Sequence, residues 1–315
     1  MKTKKLGKNG PDLTVIGFGA WAIGGPWQFG WGKVDDNESI KAIQSAVTNG
    51  INWIDTAAVY GFGHSEEVVG KAVKGFRDKV FIATKCGMLN DGKGNAVINL
   101  KPKNIRMEIE NSLRRLQTDF IDLYQFHWPD PNTPVEESWA TMIELKKEGK
   151  VKYIGVCNFD VLLLENCMKI GQVQSLQPPF SMIRRKVSTE ILPFCLRNEI
   201  GVVVYSPMQA GLLTGKFEMN KVAEDDWRRQ NQFFKEPFLS KALELVEKLK
   251  SIAQKNNKTV GHLAIAWVLK NPAVTSAIVG ARTSAQAIEN IAAGDYDLTD
   301  QEMELIKNYL KQLEI

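Results

Sequence analysis

Four cysteines and three histidines are scattered over 315 residues, and no two cysteines make a Cys-x-x-Cys pair. That donor count and spacing exclude structural zinc and suit a reducing compartment better than a disulfide-stapled secreted scaffold. Long apolar runs are missing too. No window approaches eighteen uninterrupted apolar residues, and the basic start MKTKKLGKNGPDL has no apolar stretch behind it, so neither a membrane-crossing helix nor a secretory leader is expected. Charge of one sign is scarce: 40 basic against 36 acidic residues leave +4, interspersed and not striped, which gives no support to nucleic-acid binding. A small positive excess does suit an anionic small molecule. With 44% hydrophobic residues and no linker, repeat or low-complexity segment, the expectation is one soluble, cytoplasmic domain over residues 1–315.

What is present is a recurring alternation. Eight short β-branched runs, TVIGF, INWID, VFIATK, IDLYQFH, KYIGVC, VQSLQ, GVVVYS and TSAIVG, are separated by amphipathic stretches. DDNESIKAIQSAVTNG has an acidic start and stops at Gly50, and KPKNIRMEIENSLRRL carries Pro102 in its first turn. Eight such repeats without a break predict a closed (β/α)8 TIM barrel, with an open doubly wound sheet as the alternative. The opening segment reads as a β-hairpin turning at Asn9-Gly10 and plugging one end of the barrel. Between Ser206 and about Pro237 no regular element is evident, where barrel loops usually run about two to six residues. Such a loop is usually functional. YSPMQAGLLTGKF within it fails as a phosphate loop, since Gly211 and Gly215 are too close and Phe217 follows Lys216. GFGAWAIGG fails as a dinucleotide fingerprint because no helix follows, and Glu66 and Glu67 would repel phosphate from the helix opened by YGFGHSEE.

Barrel enzymes gather their chemistry at the C-terminal ends of strands. Asp55, Lys85 and His127 end the second, third and fourth runs, and Tyr60 follows Asp55 in the adjoining loop. Together they suit proton donation: an ammonium at Lys85 would lower the tyrosine, Asp55 would hold that ammonium, and His127 would direct a substrate oxygen. Protonating an alkoxide needs a partner hydride donor, which no side chain supplies. AIVGARTSAQAIEN offers it a site: Gly280 admits close backbone approach, Arg282 a phosphate fork, and Thr283 or Ser284 a capped helix N-terminus.

At these residues the sequence resembles the aldo-keto reductases, barrel enzymes that reduce carbonyls with NADPH, and is most similar to bacterial general-stress and inositol-locus members. The likeness runs from the N-terminal hairpin to an extra C-terminal helix and is carried by IDTAAVYGFGHSEEVVGKA, LRRLQTDFIDLYQFHWPD, GKVKYIGVCNFD, YSPMQAGLLTGK and VGARTSAQAIEN. It implies a catalytic tetrad of Asp55, Tyr60, Lys85 and His127 with Tyr60 as general acid. It implies that Asn158 and Gln177 hold the nicotinamide carboxamide and that Tyr205 stacks on its ring. Ser206, Pro207, Gln209, Gly211, Gly215 and Lys216 would embrace the pyrophosphate; Gly19, Ala20 and Trp21 would border the cofactor beside Asp55. Gly280, Arg282, Thr283, Gln286 and Asn290 would meet the adenosine end, Arg282 tilting the choice towards NADPH/NADP+.

This chain departs from the family in two places. Cys157 stands where G-V-S-N-F is common, suggesting an oxidisable thiol beside the cofactor or, more plainly, a small buried hydrophobe. Phe180 and Ser181 stand where Tyr-Asn is usual. Trp21, Trp27, Trp31 and Trp128, with Tyr60 and His127, would make an aromatic-walled mouth for a small-molecule carbonyl substrate, an aldehyde or planar ketone. Nothing charged among these residues is placed to select an acid, and no obligate protein partner is expected. Two rival readings remain: a Schiff-base aldolase using Lys85, and a cofactor-sensing, non-enzymatic subunit of a membrane channel.

Overall fold

In the computed structural model, which describes residues 1–314, eight parallel strands close into a barrel with helices between them. In chain order the strands are β1 (Thr3–Lys5), β2 (Asp12–Thr14), β3 (Ile16–Gly19), β4 (Trp53–Asp55), β5 (Phe81–Cys86), β6 (Met88–Asn90), β7 (Ala96–Ile98), β8 (Ile121–Phe126), β9 (Val151–Cys157), β10 (Ser175–Gln177), β11 (Gly201–Val204) and β12 (Val274–Gly280). The barrel runs β3-β4-β5-β8-β9-β10-β11-β12 and closes from β12 onto β3, with Ala277 opposite Ile16 and Gly280 opposite Gly19. Each of the eight β-branched runs of the sequence supplies one barrel strand. They are apolar on both faces because one faces the barrel interior and the other the helices.

The helices are α1 (Asp36–Thr48), α2 (His64–Ala72), α3 (Pro102–Leu116), α4 (Val135–Lys147), α5 (Val161–Ile170), α6 (Ile191–Arg197), α7 (Phe238–Lys255), α8 (Val260–Leu269), α9 (Ser284–Ile291) and α10 (Asp300–Gln312). Their boundaries follow local chemistry. Asp35 caps α1 by accepting from the amides of Asn37 and Glu38, and Pro102 opens α3, where its missing N–H costs nothing. The extra C-terminal helix is α10, which packs on α7 and starts with a Thr299–Glu302 capping box.

Two expectations change in detail. β1 and β2 do pair antiparallel, Thr3 opposite Thr14, but the connection is six residues long and Gly7, not the Asn9-Gly10 pair, takes the left-handed conformation. The reason is burial: Leu6 drops out of the turn to pack with Leu13, Trp53 and Leu123, plugging the barrel's N-terminal end. A second hairpin, β6–β7, follows β5 and was not legible as strands, being short and half exposed.

Behind β5 lies a buried polar cluster. Glu66 lies in the first turn of α2, as the sequence placed it, but its carboxylate is wholly buried, accepting from Thr84 at 2.6 Å and from Arg115 at 2.6–2.7 Å. Glu108 beside it accepts only the Gly87 amide, at 2.8 Å, and its other oxygen has no partner. Burial, with the Glu66 charge adding to it and the Gly87 amide and Arg115 opposing, pushes Glu108 up to about 8. A native carboxyl that keeps its proton up to about 8 while the unfolded chain releases it near 4.5 contributes stability that is full in acid and lost as pH rises through that window. Glu108→Gln should therefore gain thermal stability relative to wild type between pH 5 and pH 8; an unchanged difference in melting temperature across that range would contradict the assignment.

Candidate active site

The C-terminal rim of the barrel opens into a cavity of about 640 Å³. Its floor is set by strand register. Asp55 ends β4 opposite Ala83 of β5, so Lys85, two residues on, points to the same inner face one layer higher. The two side chains meet there: Lys85 Nζ donates to Asp55 Oδ1 at 2.6 Å, to the Thr56 carbonyl at 2.8 Å and to the Tyr60 hydroxyl at 3.2 Å. All three ammonium hydrogens are thereby used. An ammonium is donor-only, so the Tyr60 oxygen accepts from it and the phenolic hydrogen is left free.

Tyr60 reaches this point because the chain turns sharply after it. Gly61 and Phe62 both have positive φ, and a Cβ on Gly61 would lie 1.9 Å from the Gly24 carbonyl oxygen, so the turn needs glycine and pins the Tyr60 loop to the loop after β3. His127, one residue past β8, stands edge-on to the Tyr60 ring with centroids 5.7 Å apart, and its amide donates to the Cys86 carbonyl. Gln177 at the end of β10 donates to Asp55 Oδ2 at 2.7 Å. Asn158 donates to the His127 carbonyl at 2.9 Å and accepts from the Tyr205 hydroxyl at 2.9 Å. Asn158 thus spends half of its side-chain amide capacity on the site's own framework and Gln177 a quarter.

The electrostatics correct one expectation. Burial raises the Tyr60 hydroxyl above its ordinary value, and this outweighs the opposing pull of Lys85, so the phenol is held protonated and not lowered. Burial also acts against the Lys85 ammonium, but Asp55 and Tyr60 hold it above its ordinary value, which leaves no free amine for Schiff-base chemistry. Asp55 is raised by burial, with Lys85 and Gln177 opposing. Burial, then the Lys85 charge, keeps His127 well below its usual value, a neutral ring with one N–H to give. Burial pushes the Cys157 thiol up as well, with Lys85 opposing, and the side chain is only 1% exposed. A covered thiol held protonated suits the packing reading of Cys157 better than the oxidisable one.

Of the positions singled out from the sequence, Gly19, Trp21, Trp27, Trp31, Trp128, Ser206, Pro207, Gln209, Gly211, Lys216, Gly280, Arg282, Gln286 and Asn290 line the same cavity as Asp55, Tyr60, His127, Asn158, Gln177 and Tyr205. Ala20, Lys85, Gly215 and Thr283 do not. Ala20 and Lys85 are buried behind the wall, Gly215 packs against Val260, and Thr283 turns back to cap α9 by accepting from the Gln286 amide. Lys216 crosses from the long loop to Glu289 of α9 at 3.2 Å.

The long loop, four short 3-10 turns between residues 212 and 234, supplies what the sequence did not disclose. Trp227 from it packs against Trp21 and Trp31 with centroids 5.4 and 6.1 Å apart, and Arg228 lies over the Trp31 ring while paired to Asp226. Arg184, in the turn after β10, also lines the cavity. A tryptophan in an irregular loop and one arginine of an Arg-Arg pair carry no periodicity to mark them. Among the described residues no helix is long and apolar enough to cross a membrane, and no group of three or more His, Cys, Asp or Glu side chains is placed to hold a metal ion.

Comparison with known proteins agrees with this fold. The profile of the Aldo/keto reductase family matches residues 15–311. The aldo-keto reductase YhdN of Bacillus subtilis (strain 168) is 39% identical over 96% of this chain and 92% of its own length. The NADH-specific methylglyoxal reductase of Escherichia coli (strain K12) is 36% identical over 100% of both chains. The solved structure of the glycerol dehydrogenase AKR11B4 from Gluconobacter oxydans superposes with a TM-score of 0.88 at 34% identity, covering 98% of this chain and 95% of that one. The chain is a member of the aldo/keto reductase family, an oxidoreductase built on a (β/α)8 barrel.

Proposed function

We propose that this protein is an NADPH-dependent carbonyl reductase in which Tyr60 delivers the proton to an aldehyde or ketone oxygen. The observation that carries the reading is the Tyr60 hydroxyl, facing the cavity with its oxygen 3.2 Å from a lysine that is itself locked to Asp55. A bound nicotinamide dinucleotide supplies the hydride.

The chain's own groups fit that cofactor. Arg282 is exposed beside the N-terminus of α9, and among the described residues no carboxylate lies within 4 Å of it, so its fork is free for a phosphate. Asn290 braces the Gly280 carbonyl at 3.1 Å, holding the β12 exit open beside it. The Tyr205 ring, oriented by its hydrogen bond to Asn158, offers a flat face for the nicotinamide. The unspent amide groups of Asn158 and Gln177 face the same cavity and suit a carboxamide.

Proton delivery follows from charge placement. As the substrate oxygen gains negative charge, Tyr60 gives up its hydrogen and Lys85 stabilises the phenolate left behind. The buried ion pair costs no rearrangement at that moment, because Asp55 and the Thr56 carbonyl already orient the ammonium. Neutral His127 donates one hydrogen bond to the same oxygen and fixes its direction. Trp21, Trp27 and Trp31 exclude water from the mouth.

Two measurements test this. Tyr60→Phe is expected to lower kcat by about 100-fold or more with an aromatic aldehyde, read as loss of NADPH absorbance, while the Kd for NADPH stays within about twofold; weakened NADPH binding instead would place Tyr60 in the cofactor site. Arg282→Ala is expected to weaken NADPH by about tenfold or more while leaving NADH within about twofold. Equal losses for the two nucleotides would remove the assignment of NADPH as the preferred cofactor.

A further inference from the structure

Five cationic side chains belong to or border the cavity, and four are accounted for. Lys85 is neutralised by Asp55 at 2.6 Å, Arg228 by Asp226 at 2.6 Å and Lys216 by Glu289 at 3.2 Å, and Arg282 is an exposed fork that fits a cofactor phosphate. Arg184 is different. It is half-buried in the cavity wall, and among the described residues no carboxylate lies within 4 Å of its guanidinium. A guanidinium partly withdrawn from water without a counter-ion favours an anion brought by a ligand.

Its placement selects which ligand. Reciprocal backbone hydrogen bonds between Ser181 and Arg184, 3.3 and 3.1 Å, pin the turn that presents the side chain. The guanidinium lies 5.9 Å from the Phe233 ring centre and beside the Tyr205 hydroxyl, which it draws down against the larger effect of burial. Tyr205 is joined through Asn158 to the His127 backbone. Arg184 therefore stands at the catalytic end of the cavity, on the framework that holds His127. The residues suited to the cofactor's phosphates sit instead beside α9, where the Arg282 backbone amide donates to the Gln286 side chain at 2.9 Å and the Lys216 ammonium pairs with Glu289.

We propose that Arg184 is a specificity-determining residue and that the preferred substrates are aldehydes or ketones bearing a carboxylate remote from the reacting carbonyl. This rests on the carbonyl reductase reading and adds the substrate class to it. The carboxylate is drawn to the guanidinium and the carbonyl is left at Tyr60 and His127, so the charge pair orients the substrate as well as binding it.

The test uses matched pairs that differ only in charge and bracket the reach: succinic semialdehyde with butanal, and 4-carboxybenzaldehyde with its methyl ester. In wild type the carboxylate of at least one pair should show the higher kcat/KM. Arg184→Leu should lower that value tenfold or more, leave the neutral partner and the Kd for NADPH within twofold, and Arg184→Lys should recover part of the loss. Equal losses on charged and neutral substrates, or weakened NADPH binding, would overturn the proposal. Quenching of tryptophan fluorescence by the same compounds is read alongside. If wild type reduces none of them the reductase reading fails, whereas the Arg184 assignment is then decided by whether Arg184→Leu selectively weakens binding of the carboxylates; no selective weakening, or no measurable binding of either carboxylate, overturns it.

Discussion

Everything at the catalytic end depends on one buried ion pair, Lys85 with Asp55. A lysine with no exposed side-chain surface would be costly alone, several kcal/mol for the unpaired ion, and it survives because each of its three hydrogens has an acceptor. The pair also dictates geometry. It requires β4 and β5 to be neighbours in this register, it fixes which lone pair of Tyr60 is occupied, and it draws Gln177 in from across the barrel to the second Asp55 oxygen. Replacing either charge by an apolar group would leave the other stranded in a dry site, so the strand ends carry these residue types for physical as well as chemical reasons.

The cavity above that floor has a different origin. Its aromatic wall comes from two irregular segments, the loop after β3 and the long loop after β11, which meet through Trp21, Trp31 and Trp227. The indole N–H groups of Trp27, Trp31 and Trp227 are buried without hydrogen-bond partners, so these rings are held by packing and, at Trp31, by the Arg228 guanidinium over its face. The barrel below is braced by hydrogen bonds and ion pairs. The division sets a polar, hydrogen-bonded floor around Tyr60 against an aromatic wall above it.

How much of this was legible in the sequence follows from the range of the interactions involved. The eight barrel strands were readable because burial on both faces writes a local pattern, and Asp35 and Pro102 marked helix starts because capping acts within one turn. Asp55, Lys85 and His127 were readable because strand ends in a barrel converge. The raised Tyr60 hydroxyl was not, since burial is a property of the assembled site and reversed the expected effect of Lys85. Trp227 and Arg184 were missed for the same reason: neither lies at a strand end, and only the folding of irregular chain brings them to the cavity. The β6–β7 hairpin escaped because strands of three half-exposed residues carry too little pattern.

The contact between Lys216 and Glu289 closes the long loop against α9 at the edge of the groove. Both side chains are well exposed, 71% and 43%, and a pair of that kind contributes under about 1 kcal/mol and is screened by salt. Its loss shifts the balance between closed and open by no more than about fivefold. The closure is a bias and not a lock, so what keeps a ligand beneath that edge is chiefly the set of contacts the ligand makes itself.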